Sequence, residues 1–289
     1  MSAMILTHAI GQFVELGDPD RETVLWKYVY AGRPKPYFHP VCTPAGCCIT
    51  LFEPYDHIWH RGLWFAIKYI NGENYWEENE ACGTQRTLAP PAVSHEPDGA
   101  VRLSTRIEWL RPDGRTVVIR EDREVTFRRL AEDAYALDYQ AVLTAATDLV
   151  LDRRPYDRWG GYSGLTIRGN RNWMNTRLLF PDGRAMDRPL GIPARWCDLS
   201  GDFDGGRNLK GGIAIFDHPT NPRHPVPWYG ASGPGHYFNA AFLFFEPLRL
   251  PSGGSLAFRY RVVPHDGLWE PVRLQRAYDE WAYHWKVQG

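Results

Sequence analysis

The sequence predicts an all-β fold: a large antiparallel β-sandwich with one C-terminal helix. Three observations carry that expectation. Apolar and polar residues alternate in many short runs, and a period of two marks a strand with one buried face. The runs are separated by turn-forming clusters such as Pro112-Asp113-Gly114 and Pro251-Ser252-Gly253-Gly254, and many short strands with few helices imply a sandwich. Helical spacing of apolar residues stands out only near the C-terminus.

Along the chain, residues 24–31, 48–52 and 63–70 read as the first strands. Residues 101–109 (Val-Arg-Leu-Ser-Thr-Arg-Ile-Glu-Trp) alternate in strict order, 116–127 follow them, and 135–143 repeat the pattern. Residues 165–168, 212–217, 241–245 and 258–263 complete the set. The helix is expected over about 271–286, where Val272, Leu274, Ala277, Tyr278, Trp281, Ala282 and Trp285 recur behind Pro271, a residue suited to the first helical turn. Stretches 152–170 and 220–236 are rich in turn formers and read as long loops, where binding residues concentrate. No composition shift marks a linker, so residues 1–289 are read as one sandwich domain.

Lys and Arg total 33 against 34 Asp and Glu. No global field therefore draws nucleic acid or an anionic membrane to this chain. The longest wholly apolar run, Ala240-Ala241-Phe242-Leu243-Phe244-Phe245, falls far short of the roughly twenty residues a helical membrane span requires. The N-terminus shows no basic segment followed by a long apolar one, which makes cytoplasmic location the expectation. The cysteines Cys42, Cys47, Cys48, Cys82 and Cys197 form no C-x-x-C pair, so buried thiols are expected rather than a thiolate zinc site. Twelve Trp, fifteen Tyr and thirteen Phe make 14% of the chain. Such rings fill β-sandwich cores and also stack on the apolar faces of ligands.

The densest cluster of functional groups is Asp56-His57-Ile58-Trp59-His60-Arg61. Imidazole exchanges protons near neutral pH, and a guanidinium offers a planar fork to oxygen groups. In a helix, the i,i+3 spacing of His57 and His60 would place both on one face and allow metal chelation with Glu77 or Asp217. In a strand they would face opposite sides. The spacing is common, so acid–base or hydrogen-bonding roles are preferred and no metal or cofactor is assigned. The bland alternative is that these histidines satisfy backbone groups around a turn.

Asn71-Gly72 is a hairpin signal that would return Glu77 beside His60; Glu73 and Glu78 read as a solvated acidic turn. Asp217-His218-Pro219-Thr220-Asn221-Pro222-Arg223-His224-Pro225-Val226-Pro227-Trp228 carries four prolines in twelve positions. A stiff loop presents polar groups at low entropic cost. The segment Trp159-Gly160-Gly161-Tyr162-Ser163-Gly164 has neither the phosphate-cradling Gly-Lys-Ser/Thr nor the G-x-S-x-G spacing of a serine hydrolase. Arg168 beyond it is an anion-contact candidate. No G-x-G-x-x-G opens a βαβ unit, which argues against a nicotinamide enzyme.

Taken together, Tyr37-Phe38-His39-Pro40, Thr43-Pro44-Ala45-Gly46, the 56–64 segment, Asn71-Gly72 through Trp76-Glu77, Arg195-Trp196-Cys197-Asp198 and the 217–228 loop resemble a known family. This is the bacterial "methane oxygenase PmoA-like" family of unknown function. Its label implies a membrane copper monooxygenase subunit, which a chain without a long apolar span does not fit. The resemblance implies carbohydrate metabolism and a sandwich similar to galactose mutarotase. On that footing the expected activity is a sugar epimerase, isomerase, lyase or hydrolase with a small-molecule sugar ligand. His57, His60, Glu77, Asp217 and His218 are its acid–base candidates, and Arg61, Trp64, Arg168, Trp196 and Trp228 its binding candidates. The expected pocket has the 56–61 segment as one wall and the Asp217-His218 loop as the other. Alternatives are a non-catalytic carbohydrate-binding protein and a metal-dependent enzyme built on His57 and His60.

Overall fold

In the computed structural model, residues 4–157, 160–206, 208–233 and 235–284 are described. Trp159 and Trp285, which entered the sequence argument, lie outside them. Two large sheets dominate, and all strand pairings within them are antiparallel. The nine-stranded sheet runs Ile5–Ala9, Phe13–Asp18, Thr23–Val29, Tyr37–Val41, Leu63–Ala66, Gly164–Arg168, Tyr237–Ala240, Pro227–Ala231 and Leu190–Pro193. The ten-stranded sheet is built around Val101–Leu110, Val117–Ala131, Ala134–Ala145, Ser255–Asp266, Lys210–Asp217 and Trp196–Phe203. A small third sheet contains Tyr69–Ile70, Glu73–Asn74, Leu149–Asp152 and Leu248–Leu250.

The sheets pack face to face through rings that one strand face contributes. Phe65 meets Tyr139 and Phe258 across the layer, with ring centroids 6.3 and 5.3 Å apart, and Trp26 meets Phe127 at 6.5 Å. The alternation read at 101–109 and 135–143 is realised: Val101, Leu103, Ile107 and Trp109 are buried, while Arg106 between them is exposed. Burying one such side chain stabilises by roughly 1.5–3 kcal/mol, and the long strands repeat that term at every second residue. The helix Pro271–His284 packs on the outer face of the ten-stranded sheet, where Trp269, Leu274, Tyr278 and Trp281 meet Trp196, Phe216 and Val263.

Several boundaries differ from expectation. Residues 48–52 form only isolated bridges, Cys42 with Cys48, Thr50 with Gly169 and Phe52 with Arg61. Residues 241–245 are not a strand; the strand ends at Ala240 and the apolar run beyond it is a turn closed by the Phe244 N–H to the Ala241 carbonyl, with Ala241, Phe242 and Leu243 buried and Phe245 exposed. Hydrophobicity alone does not distinguish these two states. The supposed loop 220–236 contains the strand Pro227–Ala231, an assignment masked by the prolines that precede it.

Candidate functional site

A cavity of about 620 Å³ opens on the outer face of the nine-stranded sheet, a volume typical of small-molecule sites. Strand alternation explains how it is built. Leu63, Phe65, Leu165, Ile167, Trp228 and Phe238 point into the inter-sheet core. Their neighbours Trp64, Tyr229 and Tyr237 point the other way, into a separate aromatic cluster with Trp76. Register aligns this outer row across strands: Trp64 pairs with Thr166, Thr166 with Asn239, Arg168 with Tyr237 and Tyr229 with Asn239.

The loop between the Phe52 and Arg61 bridge partners forms one wall. Two successive turns, His57 N–H to the Pro54 carbonyl and His60 N–H to the His57 carbonyl, each 2.9 Å, curl it. The loop is thus neither helix nor strand, yet it brings the imidazoles together: the His57 and His60 rings stack at 4.6 Å with planes 21° apart. Gly62 closes the loop at φ +72°, where an added Cβ would meet the Phe38 carbonyl oxygen at 2.5 Å. Only glycine fits that backbone conformation without strain.

His60 is 5% exposed. Its ring lies between His57 and the stacked Tyr237 ring, 5.4 Å away, and leans on Trp64 at 5.1 Å. The Arg168 Nη1 lies 3.4 Å from His60 Nδ1. Burial, then the charges of His57, Arg168 and Lys35, pull the His60 pKa well below 6.5, so the ring is neutral at physiological pH. His57 places Nδ1 3.1 Å from Asp56 Oδ2. Asp56 also accepts from Arg168 Nη2 at 2.9 Å and Arg171 Nη2 at 2.6 Å. Burial would raise the Asp56 pKa, but the hydrogen bond and charge of Arg168 and the adjacent His57 ring outweigh it and hold the carboxyl well below its ordinary range.

The second wall follows the Asn71-Gly72 turn, whose residues take φ of 51° and 80°, the left-handed pair that a tight hairpin requires. Tyr69 pairs with Asn74 across it, and the chain then carries Trp76 and Glu77 to the cavity that His60 also lines. Glu77 is ion-paired with Lys68 and accepts from Tyr162 Oη at 3.2 Å. Burial, then the Glu77 charge, raises the Tyr162 pKa, which keeps the phenol a donor. Tyr229, Tyr237, Asp187 and Arg188 complete the lining.

Of the residues singled out from sequence, the cavity therefore gathers His57, His60, Glu77 and Arg168. Trp64 stands directly behind His60 and Trp76. Arg61 is displaced from its expected role: its guanidinium is buried beneath the loop and ion-paired with Glu53 and Glu78. Glu78 is correspondingly not a solvated acid, being 6% exposed and also 3.1 Å from the buried Lys35 Nζ.

The expected Asp217-His218 wall does not reach this cavity. Asp217 is wholly buried and accepts from Asn221 Nδ2, His224 Nδ1 and the Val226 N–H at 2.7, 2.7 and 2.9 Å. Those bonds tie the proline loop to itself. His218 is buried with its ring edge-on to Trp281, 5.2 Å away, under the C-terminal helix. Trp196 lies under the same helix and donates Nε1 to Gln275 at 3.1 Å. Trp228 belongs to the inter-sheet core and donates Nε1 to the Ala194 carbonyl at 2.8 Å. For metal chelation, stacked rings direct their in-plane lone pairs in parallel, so His57 and His60 do not converge on one ion. Among the described residues no group of three or more His, Cys, Asp or Glu is placed to hold a metal.

Sequence reasoning passed over Trp59, Trp76, Tyr162, Tyr229 and Tyr237 as ligand contacts. Tyr229 sits one residue from the chosen Trp228, and one residue is the difference between the two faces of a strand.

No curated protein matches this chain. Among solved structures it is similar to heparan sulfate lyase HepC from Pedobacter heparinus, with 9% identity and TM-score 0.43 over 91% of this chain; it spans 37% of the lyase. It is similar also to galactose 1-epimerase from Lactobacillus acidophilus NCFM, with 8% identity and TM-score 0.42 over 89% of this chain and 95% of that one. A galactose mutarotase related enzyme from Lactobacillus acidophilus matches with 9% identity and TM-score 0.38 over 92% of this chain and 99% of that one. Among the described residues no helix is long and apolar enough to cross a membrane. With a family model matching residues 20–279, the chain belongs to DUF6807, a family of unknown function.

Proposed function

We propose that this protein is a carbohydrate-active enzyme that transforms a sugar or oxidised sugar derivative by acid–base catalysis in the aromatic cavity. The observation that carries the reading is convergence: His57 and His60, Glu77, Tyr162, Arg168 and Tyr229 come from segments far apart in sequence and line one cavity. Packing alone does not require titratable groups from distant segments to share a solvent-open hollow. The chemistry suits a sugar, whose C–H faces stack on rings while its hydroxyls need hydrogen-bonding groups. Trp59, Tyr162, Tyr229 and Tyr237 offer rings, and the histidines, Glu77 and Arg168 offer polar atoms.

In this reading His57 and Glu77 are the proton-transferring groups and His60 touches the ligand. Arg168 and Asp56 position the histidines, and Trp64 and Arg61 support the wall from behind. Asp217, His218, Trp196 and Trp228 have no part in it.

Calorimetry against a panel of mono- and disaccharides, followed by mass spectrometry of products, tests the proposal. His57→Ala and Glu77→Gln are expected to lower turnover by roughly 10²–10⁴-fold while ligand still binds. A wild-type protein that binds sugar and makes no product is a carbohydrate-binding protein instead, and one that binds no sugar ends the proposal.

A further inference from the structure

We infer that the two stacked imidazoles divide into a base and a fixed hydrogen-bond donor, and that the reaction they serve is proton removal from a carbon next to a sugar carbonyl. The inference rests on the sugar-enzyme reading above. It follows from which hydrogen each ring must carry. A guanidinium only donates, so His60 Nδ1, 3.4 Å from Arg168 Nη1, presents its lone pair there. The single hydrogen of the neutral ring then sits on Nε2. His57 Nδ1 is buried 3.1 Å from Asp56 Oδ2 without hydrogen-bond geometry to it, and the charge of that carboxylate favours the hydrogen on this nitrogen over a lone pair. Its Nε2 carries the lone pair. Rings 4.6 Å apart on one cavity wall therefore present opposite polarity, one proton acceptor beside one N–H donor.

That pair matches some reactions and not others. Cleavage of an acetal needs an acid that gives up a proton to the leaving oxygen, and a buried neutral imidazole beside a guanidinium does not supply one. Enolisation needs a base for the C–H and a donor for the oxygen on which charge develops. In that step the C–H bond breaks and its proton goes to His57 Nε2, forming an imidazolium that faces Asp56. The C–H electron pair becomes the new C=C bond, and the carbonyl π pair moves to oxygen, where His60 Nε2–H receives it. Returned by His57 to the neighbouring carbon of the enediol, that proton gives the aldose–ketose isomer, and passed instead to a departing β-oxygen it completes elimination; neither consumes an oxidant or reductant. The substrate class is a sugar with a free aldehyde or ketone: an open-chain aldose, a ketose or a ring-oxidised sugar.

Two measurements decide the matter. Nitrogen-15 NMR of the histidine rings reads the tautomers in the wild-type protein without any ligand: His60 is expected as Nε2–H and His57 as Nδ1–H, and the reverse at either ring overturns the assignment. Incubation of the wild-type enzyme with glucose, fructose and a keto-glucoside in D₂O is expected to place deuterium on the carbon next to the carbonyl of at least one of them. His57→Ala should slow that exchange at least 100-fold, and His60→Gln, which keeps an N–H donor, should retain more of it than His60→Phe. Conversion of a bound sugar with no carbon-bound deuterium overturns this inference and leaves the sugar-enzyme reading standing. Failure of every sugar to bind overturns both.

Discussion

Two segments of this chain share a composition and do opposite things with it. The loop 53–61 and the proline loop 217–228 each gather Asp, two His, Arg and Trp within about a dozen positions. In the proline loop the polar groups are taken up by protein: Asp217 takes three hydrogen bonds from within the loop, and Arg223 donates to the carbonyls of Phe242, Glu246 and Pro247 beyond it. In the first loop Asp56 has its partners on the distant Arg168 and Arg171, and the imidazoles stack at the edge of a cavity. A polar cluster enclosed by protein stabilises a fold, whereas one that faces a hollow is available to a ligand.

That contrast breaks most sharply on activity. His57→Ala is expected to lower turnover roughly 10²–10⁴-fold, with the urea midpoint nearly unchanged because the ring is 44% exposed. A large fall in the midpoint would make the first loop structural too. Asp217→Ala should behave inversely. Removing a buried carboxylate that satisfies three donors is expected to destabilise by about 3 kcal/mol in chemical unfolding, while the sugar dissociation constant of the folded fraction stays put. A changed dissociation constant would join the two loops functionally.

Acid provides a milder probe. Burial, then neighbouring charges, lowers the pKa of His60 well below 6.5, and burial with the Lys27 charge lowers His39 to about 4. Both folded values lie below the unfolded one, so the unfolded chain binds more protons in acid. Their contribution to stability is complete above pH 6.5 and is lost as pH falls through the folded values, at up to roughly 1.4 kcal/mol per pH unit per histidine. Unfolding midpoints measured from pH 7.5 down to 4 should decline only below about 6.5, and His39→Phe should flatten part of that slope. Smallest of all, Trp228→Phe removes one donor from the Ala194 carbonyl and should lower stability by about 1 kcal/mol. Sugar binding should be untouched; a loss comparable to that of Tyr229→Ala would mean the strand faces have been misassigned.

Much of the β architecture was legible because alternation is a local property: Val101 to Trp109 reads the same alone as in the sheet. The stacked histidines were half legible. Their spacing suggested proximity, but only the tight turns decided that they meet and only Arg168, more than a hundred positions away, decided which nitrogen carries a hydrogen. Strands buried on both faces gave no clue to orientation, since Trp228 and Tyr229 are equally apolar in sequence and lie on opposite sides of the sheet.

By itself, then, the sequence determined strand periodicity, the Asn71-Gly72 turn, the C-terminal helix and the segment most charged with chemistry. The tertiary structure alone decided which polar cluster was enclosed by protein and which opened on a cavity. The physical reason is that a side chain's chemistry depends on its desolvation and on partners that long-range strand pairing supplies, and neither is written in its immediate neighbours.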